Sequence, residues 1–360
     1  MAKNQYNPTE VSPPGETLLE VLEERGLTQA ELAERTGRPK KTINEIVKGK
    51  TAITPETALQ LERVLGVPAS FWNARETHYR ESLAKRDEVE RFESELEWIE
   101  KFPLKEMVRQ RLIPKCPDKL SYLYSLLRFF GVASPAQWHA VWRDAALPHV
   151  AFRKSKKSDQ YALSAWLRSG QIAGEKAECR DYSADAFRSV LVEIRRFTLL
   201  PPIQFQPLLE EICGKCGVVV VFIRELPGSG ASGATFWTMG YTRPVLMLSL
   251  RYKTDDHLWF TFFHEAAHIL LHGKKEMFIE GLKSEDDREA EANQASGNFL
   301  IPPERLKNFL ARPGRISCDG ISRLATELGI APGIVVGRLQ HDKMMPNSHC
   351  NGLKRRLEWA

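Results

Sequence analysis

The chain has 360 residues, 42% of them hydrophobic, and 51 Lys and Arg stand against 46 Asp and Glu for a net charge of +5. That length predicts two or three domains, while so small a charge spread over the whole chain specifies no partner. No window reaches the roughly 18 apolar residues of a membrane span, and the polar N-terminus lacks a signal-peptide core. The bacterial cytoplasm is therefore the expected location, with no membrane partner. Six cysteines in such a chain are expected as free thiols rather than as a disulfide framework.

Residues 15–66 read as four or five short helices with tight turns. The segment from Gly15 to Arg25 is amphipathic, with Leu18, Leu19, Val21 and Leu22 turned inward. The next helix opens on a Thr28 N-cap with Glu31 three residues on and closes at Gly37. A third begins after Arg38-Pro39 and carries Ile43, Ile46 and Val47 on one face. Thr54-Pro55-Glu56 starts a fourth, which runs to Leu65-Gly66.

Helix, short glycine turn, helix is the arrangement that presents a second helix to the DNA major groove. Within 38–50, five cations face one acid, the local clustering that phosphate neutralisation requires. Lys40, Lys41 and Thr42 stand at the start of the recognition element, where side chains reach base edges. Asn44 and Glu45 can add base contacts, Lys48 and Lys50 suit phosphates, and Thr28, Gln29 and Arg38 complete the expected DNA-contacting set. The wording Thr28-Gln29-x-x-Leu32-Ala33, then Ile43-Asn44-Glu45-Ile46-Val47-x-Gly49-Lys50, resembles the Xre/Cro-type helix-turn-helix. With Ile53-Thr54-Pro55-Glu56-Thr57-Ala58-Leu59 and Phe71-Trp72 it is more closely similar to HigA-like antitoxins, over roughly residues 12–80. That resemblance implies a double-stranded operator as partner, and such proteins commonly bind as homodimers.

The middle of the chain says less. Residues 77–111 are charged and helical around Phe92, Leu96, Trp98 and Ile99, and Pro103, Pro114 and Pro117 interrupt them. Helices are expected over 120–130, 134–142, 162–168 and 184–196, with a basic loop at 152–157. Cys213-x-x-Cys216 closes a further helix and reads as structural. Strands are expected over 218–223, 234–237 and 244–250. The glycine-rich stretch from Leu226 to Gly233 is either a flap over a cleft or a plain surface loop.

Phe260-Thr261-Phe262-Phe263-His264-Glu265-Ala266-Ala267-His268 holds a His-Glu-x-x-His pattern. Four residues advance a helix by about 400°, so His264 and His268 share one face and can grip one metal ion. Glu265 lies one step round, placed to reach water at the metal without being a ligand. Apolar flanks at 258–260 and 269–271 bury this helix, where unpartnered polar groups are costly and a metal removes the cost. Glu289, some twenty residues on, is the expected third ligand. Asn293, one turn further, can hydrogen-bond a ligand's outer edge, and Glu291 turns towards solvent. His272 reads as a wall or supporting residue, because the face drifts by about 80° over two turns. Mixed nitrogen and oxygen donors with an open position favour zinc.

The same run, followed by Glu289-x-x-Ala292-Asn293, Phe299-Leu300-Ile301-Pro302, Ile321 to Ala325 and Pro332 to His341, resembles the ImmA/IrrE zinc metallopeptidases over roughly 200–345. The resemblance implies that His264, His268 and Glu289 bind zinc and that Glu265 is the general base. One departure is Gln294-Ala295-Ser296-Gly297, where the family usually has an aromatic and alanines. The expected fold class is mainly α, with an all-α helix-turn-helix domain and a smaller α+β zincin-like peptidase domain. Expected divisions are 1–80, a helical connector 81–197, 198–345, and a tail 346–360. Two functions compete. One is a DNA-binding regulator whose zinc endopeptidase cleaves a repressor or antitoxin-like protein in a stress or toxin–antitoxin system. The other is a HigA-like antitoxin or repressor, with a toxin partner and a structural or sensory zinc site.

Overall fold

The computed structural model describes residues 11–146, 159–238, 240–274, 277–280, 287–311 and 316–359. The basic loop expected at 152–157 lies outside them. The chain divides into two compact units, residues 1–96 and 97–360.

In the first unit, helices α1 (Pro14–Glu24), α2 (Gln29–Thr36), α3 (Lys40–Val47) and α4 (Pro55–Leu65) precede a long α5 (Ala69–Glu93). Leu18, Leu22, Leu32, Ile43, Ile46, Leu61 and Trp72 form their shared core. The start of α2 is fixed by a capping box. Thr28 Oγ1 accepts from the Glu31 N–H, and the Glu31 carboxylate accepts from the Thr28 N–H at 2.8 Å. Gly37 ends the helix in the left-handed region at φ 67°, which lets the chain turn at once into α3. Helix α5 runs unbroken through residue 80, the expected domain edge. Its buried Glu76 accepts from the Ile53 N–H at 3.0 Å and pairs with Arg80 at 2.7 Å, so this stretch pins the turn that follows α3.

The second unit opens with α6 (Leu104–Arg109), α7 (Lys119–Phe130), α8 (Pro135–Trp138), α9 (Gln160–Lys176), α10 (Ala184–Ile194) and α11 (Pro202–Lys215). Strands β1 (Val219–Phe222), β2 (Gly233–Thr238) and β3 (Arg243–Leu248) follow, and then α12 (Asp255–Leu271). Next come β4 (Phe278–Glu280), α13 (Asp287–Leu300), α14 (Pro303–Leu310), α15 (Cys318–Leu328) and α16 (Pro332–His341). The architecture is mostly helical with one small mixed sheet, ordered β1-β3-β2-β4. β1 lies parallel to β3, and β2 runs antiparallel to both β3 and β4.

Helix α12 is the spine of this unit. Trp259, Phe262, Phe263 and Ala266 join a core with Val220, Leu246, Leu248, Leu300 and Val335. Helix α16 can cross its start because Gly333 and Gly337 present no side chain: a Cβ there would fall 2.5 Å from Asp255 Oδ1 and 2.8 Å from Asp256.

Two expectations are corrected. Cys318 and Cys350 form a disulfide, joining the start of α15 to the chain beyond α16, whereas Cys116, Cys179, Cys213 and Cys216 are free. The thiols of this pair meet because α15 and α16 fold back on each other, a tertiary event that no sequence spacing announces. The stretch from Leu226 to Gly233 is neither flap nor plain surface loop. Leu226, Ser229, Ala231 and Ser232 are buried, and Ser232 bonds through its backbone to both Glu280 and Ser249. Those bonds extend the sheet ladder into the loop and fix it beside β4.

Gly15 tests the first unit's packing. A Cβ on it would lie 2.3 Å from the Val47 carbonyl oxygen and 2.4 Å from that of Ile46. Gly15→Ala is therefore expected to destabilise the α1–α3 contact by about 1–3 kcal/mol. Faster hydrogen exchange in both helices is the readout; unchanged exchange would refute the close approach.

Candidate metal centre and nucleic-acid interface

Helix α12 brings His264, Glu265 and His268 into an interior where none is more than 1% exposed. Glu289 comes from the first turn of α13, which packs along α12. The Nε2 atoms of His264 and His268 are 2.9 Å apart. The Glu289 carboxylate lies 3.2 Å from the first and 3.6 Å from the second. These three donors all fall within 4.8 Å of one another.

The outer ring atoms decide how the inner ones point. His264 Nδ1 lies 3.0 Å from Asn293 Oδ1, an oxygen that can only accept. Nδ1 therefore donates to Asn293, and Nε2 is the ring atom turned towards His268 and Glu289, able to bind an ion once it gives up its own proton. His268 Nδ1 meets His272 Nδ1 at 2.8 Å, and His272 Nε2 meets the Glu291 carboxylate at 3.2 Å. This chain of three side chains fixes the His268 ring, with the protons placed so that its Nε2 also faces inward. The arrangement fits a divalent ion bound through two imidazole nitrogens and a carboxylate, the donor set suited to zinc.

Electrostatics points the same way. Burial pulls the His264 imidazolium down, yet Glu289, Glu280 and Glu265 outweigh it and hold the group up at about 9. Burial takes His268 down to about 4 against the Glu289 hydrogen bond, and the charge of His264 adds to the fall. Burial raises Glu289, but its hydrogen bonds to the two histidines prevail and keep it at about 2. The carboxylates thus hold one positive charge, on His264, while His268 stays neutral beside it.

Glu265 is placed differently. Both of its carboxylate oxygens are buried without a hydrogen-bond partner, and burial pushes its pKa up to about 8, against the pull of His264. Its backbone carbonyl accepts from Thr235 Oγ1 of β2 at 3.1 Å. Gly233 at the head of β2 makes room for it, since a Cβ there would lie 2.8 Å from Glu265 Oε1. A buried carboxyl group raised towards neutrality is suited to proton transfer.

Sequence reasoning missed Glu280. Its Oε2 lies 3.2 Å from His264 Nε2, the same separation as Glu289. Burial raises its pKa, with His264 opposing. Phe278, two residues earlier on the same face of β4, stacks on the His268 ring at 4.0 Å. Two strand residues advance about 6.6 Å and four helical residues about 6 Å, so β4 matches the histidine spacing of α12. A three-residue strand gives almost no periodic signal, which is why this residue was not legible. Glu291, expected in solvent, is exposed at 64% of its side chain but still supports His272. In the departure stretch, Ser296 bonds the Phe260 carbonyl at 2.8 Å, and Gly297 leaves space for the Arg338 guanidinium.

A cavity of about 390 Å³ opens over Glu280, Glu289 and Asn293. Phe260, Leu300 and Ile334 form its apolar wall, and Tyr252, His257, Arg338 and His341 stand on its polar side.

In the first unit, α3 presents Lys40, Lys41 and Asn44 fully to solvent, followed by Lys48 and Lys50, with Thr42 and Glu45 half-buried. Several expected contact residues also have structural work. Arg38 bonds Gln60 at 2.5 Å and approaches Glu56 at 3.6 Å, leaving it 20% exposed. Glu45 accepts from Thr51, Thr28 caps α2, and Gln29 accepts from Asn44 at 3.5 Å. Lys41 approaches the Glu45 carboxylate at 3.9 Å, and among the described residues Lys40, Lys48 and Lys50 carry no such tie.

Comparison with known proteins agrees with this division. Residues 18–72 match the helix-turn-helix family model, and residues 213–340 match the IrrE N-terminal-like domain of the M78 peptidases. Virulence-associated protein A of Dichelobacter nodosus is 44% identical over 52 residues, 14% of this chain. The chain spans about half the length of that curated relative, 51%. Among solved structures, an addiction module antidote protein of a HigA family from Coxiella burnetii shares 26% identity, covering 24% of this chain and 95% of that one (TM-score 0.22). The Pseudomonas aeruginosa antitoxin HigA with higBA promoter shares 29%, over 24% and 95% (TM-score 0.23). The chain therefore carries a helix-turn-helix domain and an M78-type peptidase domain, with no described helix long and apolar enough to cross a membrane.

Metal analysis of the purified chain tests the centre. Elemental analysis is expected to find one zinc per chain, lost in His264→Ala, His268→Ala and Glu289→Ala. Asn293→Ala is expected to weaken affinity by about 10–100-fold, as for other groups that orient a ligand. Full occupancy in all three ligand variants would refute the assignment.

Proposed function

We propose that this chain is a transcriptional regulator that binds operator DNA through α3 and hydrolyses a specific protein at the α12–α13 centre. The observation that carries the enzymatic half is Glu265. Its carboxylate is fully buried and unpartnered, one residue from His264, a costly placement that a purely structural site has no need of. His264, His268 and Glu289 would hold the zinc ion, with Asn293 and His272 orienting the imidazoles. A bound zinc supplies Lewis-acid polarisation of the scissile carbonyl and makes water more acidic. Glu265 then takes the proton from the attacking water and delivers it to the leaving nitrogen. β4 is the edge of the sheet beside the cluster, so an extended peptide can add to it by strand pairing. The cleaved protein is a repressor or antitoxin-like partner, a narrow substrate consistent with a peptidase joined to a DNA-binding unit.

On the DNA side, Lys40, Lys41 and Thr42 stand where α3 would enter the major groove, and Lys48 and Lys50 can neutralise phosphates. Arg38 and Glu45 hold the turns on either side of α3 and act by positioning it. A homodimer reading two half-sites about one helical turn apart is the expected arrangement.

Two substitutions separate the halves. Glu265→Gln is expected to keep its zinc while cleavage of the cellular substrate falls by about 10²–10⁴-fold, as for loss of a general base. Lys41→Glu is expected to abolish operator retention in a gel shift while cleavage continues. Full regulation in cells carrying Glu265→Gln would refute the enzymatic half.

One observation favours a second reading, a HigA-like repressor whose zinc is structural or sensory. Glu280 stands as close to His264 as Glu289 does, and a fourth protein ligand would leave no position for substrate. Peptidase assay of Glu280→Gln distinguishes the two. Retained or increased cleavage is expected from an open three-ligand centre. Loss of zinc from that variant, with no cleavage by either form, would establish the closed site.

A further inference from the structure

The cavity over Glu280 and Glu289 does not end there. It shares Tyr252, Asp256, His257, Gly337 and His341 with a second, larger cleft of about 1240 Å³. That volume exceeds the roughly 300–1,000 Å³ of small-molecule sites, so the cleft has room for a stretch of chain.

Its walls carry Arg251, Lys253, Lys343, Lys354 and Arg356, and Asp256 is the sole Asp or Glu among its lining residues. Asp256 is buried and already matched by Lys354 at 2.6 Å. Lys253, Lys343 and Arg356 are exposed and pair with no carboxylate among the described residues. Arg251 bonds the Gly230 carbonyl and lies over the Tyr252 ring, which keeps its guanidinium on the wall. Within a chain of nearly balanced charge, three unpaired cations along one cleft create a strong local field.

The wall that carries them is pinned in place. The Cys318–Cys350 disulfide ties residue 350 to α15. Gln340 Nε2 donates to the carbonyls of Asn347 and His349 and to Asn351 Oδ1. The backbones of Asp255 and Lys253 bond those of Arg355 and Leu357. Such a wall pays little ordering cost when a ligand arrives.

We propose that this cleft binds an acidic segment of the protein substrate, offset from the bond that is cut. The inference rests on the peptidase reading of the adjoining centre. Acidic side chains at the scissile bond would meet Glu280 and Glu289, whereas in the larger cleft they meet Lys253, Lys343 and Arg356. Next to the bond, the wall of Phe260, Leu300 and Ile334 takes an apolar residue. The preferred substrate thus has an apolar residue at the cut and a run of Asp and Glu displaced from it. A nucleic acid fits less well, because its phosphates would run on into the carboxylates of the centre.

The test uses the full-length, zinc-loaded Glu265→Gln chain and a fluorescent peptide with a leucine followed by a run of Asp and Glu. A control peptide replaces those acids with Asn and Gln. Anisotropy is expected to show about tenfold tighter binding of the acidic peptide, a factor that shrinks as salt is raised. Lys343→Glu with Arg356→Glu is expected to erase that preference and confer one for the corresponding lysine peptide. This gain shows that the double variant is folded. Equal binding of the two peptides, or an unchanged preference in the double variant, would overturn the proposal. So would a single-stranded oligonucleotide that binds more tightly than the acidic peptide and is lost with the same two substitutions. Cleavage by the wild-type chain is scored separately. Cleavage of both peptides at equal kcat/KM overturns the subsite and leaves the peptidase. Binding with the expected preference but no cleavage by wild type supports the subsite and counts against the peptidase.

Discussion

The second unit depends on a cost that must be met: two imidazoles and a carboxylate are buried in a helix whose other neighbours are aromatic and aliphatic. Unpartnered, such groups are costly to desolvate, and α12 would be the weakest part of the core instead of its spine. Helix α13 and the residue that ends α12 supply the partners. Asn293 takes the outer nitrogen of His264, His272 and Glu291 take that of His268, and Glu289 faces both inner nitrogens. With the outer nitrogens engaged, the inner nitrogens and the Glu289 carboxylate converge on one point. An ion bound at that point would make folding and metal binding parts of one equilibrium.

Glu265 is the exception that gives the site its character. Structural logic would bond it or leave it out, yet it is buried beside the cluster with both oxygens free. Gly233 and the fixed loop before it make the space. The same loop bonds Glu280 through the backbone, so β4 stands where a fourth donor or an extended ligand would come. The first residues of β2 and the last residue of β4 thus shape the surroundings of Glu265 and His264.

The N-terminal unit solves a different problem, holding a short helix of eight residues rigid while most of its polar face stays free. An isolated helix of that length is unstable in water. Stability comes from the Thr28–Glu31 box, the Gly37 turn, the Arg38–Gln60 bond and the Glu76 carboxylate under Ile53. These contacts engage Arg38, which looks like a DNA contact by charge alone, and Lys41 leans on Glu45, leaving Lys40, Lys48 and Lys50 as the unpaired cations of this stretch.

Much of this was legible in the sequence, and the reason is local. Caps, glycine turns and the helical spacing of His264, Glu265 and His268 are short-range features, written within a turn or two. Glu289 and Asn293 followed because they too share one helical face. The sequence by itself therefore determined a helix-turn-helix at one end, a mostly helical body with a small sheet, and a histidine pair one turn apart on one helix. Tertiary structure alone decided the rest. Glu280 reaches His264 only because β4 pairs with β2, and Cys318 reaches Cys350 only because α15 and α16 fold back. The basic cleft exists only where residues 251–257 and 343–356 are brought together. These are contacts between segments tens of residues apart, fixed by packing and strand register, for which one-dimensional spacing carries no signal.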